Sequence, residues 1–471
     1  MKIEGLKLKR KKQILAISLA FFSIIATLIL VTTKAKYKNI QTMDLVNGTI
    51  NYTPADINLV AIQIENDIGE YEVSNAVPSE GYTLSDKSYC NVNGTKDTSI
   101  KLSYINGSVS VNDISKKTKC YLYFDKYSAI DTIIGDITGI EEKIEFTGIA
   151  TSSDTGIYSA PDDYGTSYYF RGLEGSLNNW VRFAGFYWRI IRVNGNGTIR
   201  MIYAGAASGN PSDANRNGST TQIRTYPYNH TFDDNAYVGY MMGIPLNGTF
   251  ENNTSGNKTS SHSNSYAKAH INTYNSDAKS QIDSWYKTNI EDKGLSNYID
   301  TDTGFCNDRG IDKIAYSSYT GDGYGTQSSG YAPWGRLYQN NWKTTQIPTL
   351  KCSNKSKDLF THTSASIGNK KLTYLVGLIS SDEVVFGGGF GNSSDSTYYL
   401  YANQQYWTMS PYFYGGSYAY VFWVASNGLL QGGSVHYSNG LRPVINLQAD
   451  TKFTYNNETT KGSATDPYIV V

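Results

Sequence analysis

Histidine, paired carboxylates and cysteine are the residues from which this chain would build a reactive centre. Its five histidines, His230, His262, His270, His362 and His436, are scattered through polar stretches or stand singly in candidate strands. His262 and His270 are eight residues apart, a spacing that fits one helical face, but the Ser and Asn around them favour a loop. Asp382 and Glu383 lie beside an apolar strand and have the chemistry of an acid and a base. Neighbouring side chains on a helix do not face each other, and Glu383 follows Ser380 at the spacing of a capping box. Asp213, Asn215, Asn217 and Gly218 open like a calcium loop, yet Arg224 stands where its bidentate Glu belongs. An Asn-rich turn explains them equally well. The chain has no His-Glu-x-x-His, no Gly-x-Ser-x-Gly and no phosphate-binding loop. The reading is therefore not an enzyme, with no catalytic residue, no cofactor and no metal.

The four cysteines form two well-separated couples, Cys90 with Cys120 and Cys306 with Cys352. Neither has the Cys-x-x-Cys spacing of zinc or thioredoxin-like sites, so two disulfides in an exported chain are expected.

Binding is the chemistry left, and residues 398–447 carry the densest Tyr and Trp in a chain with 40 Tyr. Tyrosine offers large contact area at low rotamer entropy, and Ser, Gly and Asn add adaptable hydrogen bonds, a mixture typical of binding loops. Tyr399, Tyr401, Tyr412, Tyr414, Tyr418 and Tyr420 are expected to be exposed and to hold the ligand. Trp407, Phe422 and Trp423 at strand positions are expected in the core, and Arg442 is expected to bond structurally to an acid or to carbonyl groups.

The elements that would position these residues are mostly strands. Charged residues make up only 17% of the chain, below the roughly 25% of an ordinary soluble domain, and aromatic residues make up 13%. The class expected is α+β, mainly β. Residues 183–205 read as a hairpin around Asn194-Gly195-Asn196-Gly197, with Arg189, Arg192 and Arg200 on its wet face. Residues 206–265 read as long loops. Residues 276–290 read as a helix capped by Ser276, with Ile282, Trp285, Tyr286 and Ile290 on one face.

Residues 1–13 are basic and read as cytoplasmic. Residues 14–31 contain no charge and are long enough to cross a bilayer. The preceding cations would then keep the N terminus inside. A cleaved signal peptide is the rival, with Thr33 and Ala35 before the cut, but the length of the run favours an anchor. Residues 37–126 read as a small β-sandwich-like domain, and 131–471 as a larger domain with long loops. Residues 1–12 hold six cations against Glu4, a net of +5; with the whole chain at zero, the remainder is −5. That balance argues against a nucleic-acid partner.

Several pieces, in order, resemble a family of Gram-positive gut-bacterial surface proteins. They are DDYGTSYYFRG (162–172), residues 183–203, SWYKTN (284–289), GFCNDR (304–309), VGLISSDEVVFGGG (376–389), YWTMSP (406–411) and GLRPVINL (440–447). The last third of that family is similar to C-type-lectin-like folds of the formylglycine-generating-enzyme type. The resemblance implies a ligand-facing sheet built from residues 406–410, 419–424 and 440–444. Formylglycine-generating enzymes need reactive cysteines near this end, and none follows Cys352. The function expected is a membrane-anchored extracellular protein that binds a glycan, a peptide or a surface protein. A structural envelope protein is the alternative, and a cell-wall hydrolase the third reading.

Overall fold

The computed structural model describes residues 57–66, 69–78, 81–105, 107–112, 118–207, 219–245, 262–314, 317–338, 344–391 and 393–471. The apolar run 14–31, the rival cleavage site and the calcium-like residues 213–218 lie outside them. Among the described residues no helix is long and apolar enough to cross a membrane. The chain is mainly β and divides into two compact units between Tyr127 and Ser128.

In the smaller unit, Thr118–Lys126 is the central strand. Ile57–Glu65 pairs with it in parallel, and Tyr82–Leu84 and Tyr89–Val92 pair antiparallel. Its apolar residues alternate, so Cys120, Leu122 and Phe124 point inward to meet Ile62, Cys90, Val109 and Val111. The hairpin of Lys101–Ile105 with Ser108–Asn112 supplies the other side of that core. Cys90 and Cys120 lie directly opposite in register and are joined by a disulfide. Asn93 and Gly94 both take positive φ, at 53° and 87°, the conformation an Asn-Gly turn supplies at little cost.

The larger unit holds two main sheets. One runs Val444–Leu447, Ile199–Ala206, Phe186–Val193, Trp180–Phe183, Tyr468–Val470 and Phe453–Thr454 in order, with Thr166–Arg171 and Gly156–Pro161 attached. The hairpin turns where the Asn-Gly repeat sits, closed by Asn194 N–H donating to Thr198 O at 2.8 Å. Its expected wet face does not exist, because both faces are covered and Arg189, Arg192 and Arg200 are all buried. The other sheet runs Arg224–Pro227, Ser438–Leu441, Tyr406–Tyr414, Ala419–Val424 and Leu430–Ser434. Asp277–Tyr286 and Ser381–Gly387 are two of several helices in the unit. The first is capped by Ser276 Oγ, and the second begins with the Ser380/Glu383 capping box. Within the stretch expected to be loops, residues 219–245 form short strands and 3-10 turns, while 208–218 and 246–261 lie outside the description. The second disulfide, Cys306–Cys352, closes 46 residues.

Candidate functional site

The six tyrosines expected to be exposed separate into two groups. Tyr399, Tyr412 and Tyr414 are buried, which corrects their assignment as exposed residues; Tyr401, Tyr418 and Tyr420 are half-exposed. Tyr399 packs against the Arg189 guanidinium, which lies 5.1 Å from its ring centroid and 4.1 Å from that of Trp180. Tyr412 is buried because it lies edge-on to Phe422 across the sheet, at 4.7 Å and 88°, and over Gly432 on the next strand. Tyr406–Tyr414 is covered on both faces, so alternation along it does not separate exposed from buried positions. The one half-exposed residue of that strand is Phe413.

Phe413 begins an aromatic platform. Its ring lies 4.5 Å from that of Tyr420 and 4.9 Å from that of Tyr319, which arrives from a distant part of the chain. A short way along the same strand pair, Tyr418 stacks on Phe232 at 4.7 Å and 12°. Phe232 also meets His436, which in turn meets the exposed Tyr437 at 4.7 Å. Burial first, and then Tyr437, Tyr319 and Tyr418, push the Tyr420 phenol above its ordinary range. Beneath this layer Trp334, Tyr412 and Phe422 are buried and hold the upper rings in place. Offset and edge-on ring pairs of this kind each contribute about 0.5 to 1.5 kcal/mol beyond their buried area.

Three residues expected to be structural take different positions. Trp407 is fully buried and donates Nε1–H to Tyr226 O at 3.0 Å. Arg442 is buried and donates to the carbonyls of Tyr203 and Leu400 at 3.1 and 3.0 Å, with its guanidinium 4.7 Å from the Tyr406 ring centroid. Trp423 is half-buried, the Nε1 side of its indole close against Gly433, and its Nε1 finds no hydrogen-bond partner among the described residues.

No protein-family model, curated protein or solved structure matches this chain.

A second cluster joins residues that are far apart in the sequence. Glu383, the capping-box residue, accepts from Arg192 Nε at 3.2 Å and pairs with both Nε and Nη2 of Arg200. Arg192 also donates to Asp162 at 2.9 Å. Arg336 grips Asp382 through two parallel bonds of 2.6 and 2.7 Å and reaches Asp308 at 2.6 Å. Burial raises the Glu383 carboxyl, but Arg200 and Arg192 outweigh it and hold the group below the usual carboxylate range. These residues surround a cavity of about 30 Å3, room for about one water. Every one of these carboxylates already holds a guanidinium, so the cluster serves as a buried clasp between the hairpin, the helix Ser381–Gly387 and the loop carrying Asp308. The signal for it was the pair Asp382 and Glu383. Their partners are distant in sequence, Arg200 being 183 residues from Glu383.

Proposed function

We propose that the unit from Ser128 onward is an extracellular ligand-binding domain held at the membrane by residues 14–31, and that the aromatic platform is its binding surface. The carrying observation is the set of partly or fully exposed rings, Tyr319, Phe413, Tyr418, Tyr420 and Tyr437, set on a buried aromatic layer. Rings fixed in advance lose little entropy when a ligand stacks on them. A glycan, peptide or surface protein is the ligand class. We infer a C-type-lectin-like arrangement for this unit. The proximity of its early and late strands supports that reading: Trp180–Phe183 runs parallel to Tyr468–Val470, and Ile199–Ala206 pairs with Val444–Leu447.

The burial of Tyr399, Tyr412 and Tyr414 favours a second reading, a structural envelope protein whose aromatic strands fill the fold. An array of glycans and peptides probed with residues 37–471 separates the two. The expected result is reproducible binding that Tyr418→Ala with Tyr420→Ala abolishes. Binding that survives both substitutions places the site elsewhere, and absence of any binding favours the structural reading.

A further inference from the structure

Among its described residues, the smaller unit packs its core against one face of its sheet only, and the other face carries partly exposed side chains. Along Thr118–Lys126 the residues between the core positions point outward: Lys119, Tyr121, Tyr123 and Asp125. The neighbouring strands set Tyr89 opposite Tyr121, Gln63 opposite Tyr123, Val73 opposite Gln63 and Tyr71 opposite Glu65. Tyr89 stacks on Tyr121 at 4.8 Å and 16°, and Tyr71 meets Tyr123 edge-on at 5.3 Å. Val73 is 65% exposed beside them. The outer face of a one-sided sheet is ordinarily polar; this one carries four tyrosines and an exposed valine.

Charge is distributed along the same strands with a direction. Lys119 stands at the start of the central strand, with Asn91 opposite it and Lys96 opposite Asn91; the Lys96 ammonium lies 5.4 Å from the Tyr89 ring centroid. Asp125 lies at the far end, about 20 Å away at roughly 3.3 Å per residue, with Glu65 at the same end of the adjacent strand. Lys87 also sits at that end, 4.4 Å from the Tyr71 ring centroid and bonded to the Tyr71 hydroxyl, which in turn donates to Asp125, so its charge offsets one of the two carboxylates. The face therefore has a cationic end, a net acidic end and one tyrosine pair in each half. A uniformly charged polymer would be repelled at one end. A second copy of the same face, turned about a two-fold axis lying in the interface, sets each end against its opposite.

We propose that two copies of this chain pair through the outer face of this sheet. Lys96 and Lys119 of one copy meet Asp125 and Glu65 of the other, and Tyr89–Tyr121 packs on Tyr71–Tyr123. The sheets then lie about 10 Å apart, as packed sheets do.

Sedimentation equilibrium of the full chain, in detergent matched to the solvent density, tests this over a concentration series. The expected result is a reversible dimer that Lys96→Glu with Lys119→Glu weakens by about tenfold or more. Glu65→Lys with Asp125→Lys weakens it similarly. All four changes together restore it, because the inverted pattern is again self-complementary. Near-ultraviolet circular dichroism checks that each variant keeps its tyrosine packing. The proposal is overturned by a chain that stays monomeric, by a dimer indifferent to both reversals, or by a folded fourfold variant that does not recover. Binding of an acidic polymer to a monomeric wild-type chain, lost with the two lysines, would overturn it too.

Discussion

Gly432 lies against the ring of Tyr412 so closely that a Cβ at position 432 would overlap it. Tyr412 reaches across the sheet over a strand that carries no side chain there, and in doing so it supports Phe413 from below at 4.9 Å. Gly432→Ala should therefore cost about 1 to 3 kcal/mol through overpacking. The same change should tilt the platform. A lower thermal midpoint together with weaker ligand binding checks it, and an unchanged midpoint would show that Tyr412 has another place to go.

Buried and exposed tyrosines should respond differently to truncation. Tyr399→Ala removes a ring that holds Arg189 and should cost about 3 kcal/mol or more. Tyr437→Ala, at a side chain 54% exposed, should stay within about 0.5 kcal/mol of the parent. Urea unfolding of the two variants measures the contrast, and equal losses would contradict the burial assigned to them.

Glu383→Gln leaves Arg192 and Arg200 buried without their shared anion. Breaking one member of such a buried cluster costs about 3 to 5 kcal/mol. Denaturant midpoints give the loss directly. A change below 1 kcal/mol, roughly the value of an exposed pair, would mean that water reaches the cavity freely.

His270 gives the unit an acid-sensitive element. Its ring is buried against Tyr266 at 3.7 Å, with Nδ1 2.7 Å from the Tyr266 carbonyl oxygen. Burial first, and then Arg309, depress its pKa from 6.5 to about 2. The unfolded chain takes up a proton below 6.5 while the folded chain does not. The contribution is therefore whole above that value and declines by about 1.4 kcal/mol for each unit of pH below it. Between about pH 7 and pH 5 the wild type should lose about 2 kcal/mol more than His270→Phe. Parallel stability profiles would rule this out.

The Cys90–Cys120 link closes a 30-residue loop in a small core. Replacing both cysteines with serine should cost the smaller unit about 3 to 4 kcal/mol. Amide exchange in Thr118–Lys126 is the readout; protection there that does not change would assign the stability to the apolar core alone.

The sequence by itself determined the features whose causes are local. The Ser380/Glu383 box, the Ser276 cap, the turn at Asn194 to Gly197 and the alternation of Thr118–Lys126 each follow from residues a few positions apart. The two cysteine couples were also legible, from compartment chemistry and spacing, and both are joined. Only the tertiary structure decided which tyrosines meet solvent. Alternation marks a face only when one side of a strand is wet. Tyr406–Tyr414 and the hairpin strands are covered on both sides, so Tyr412 and Tyr414 became core and Arg192 and Arg200 became a clasp. The same covering brought Tyr319 to Phe413 and Glu383 to Arg200. Those contacts depend on how separate sheets, loops and helices pack, which no short window of residues encodes.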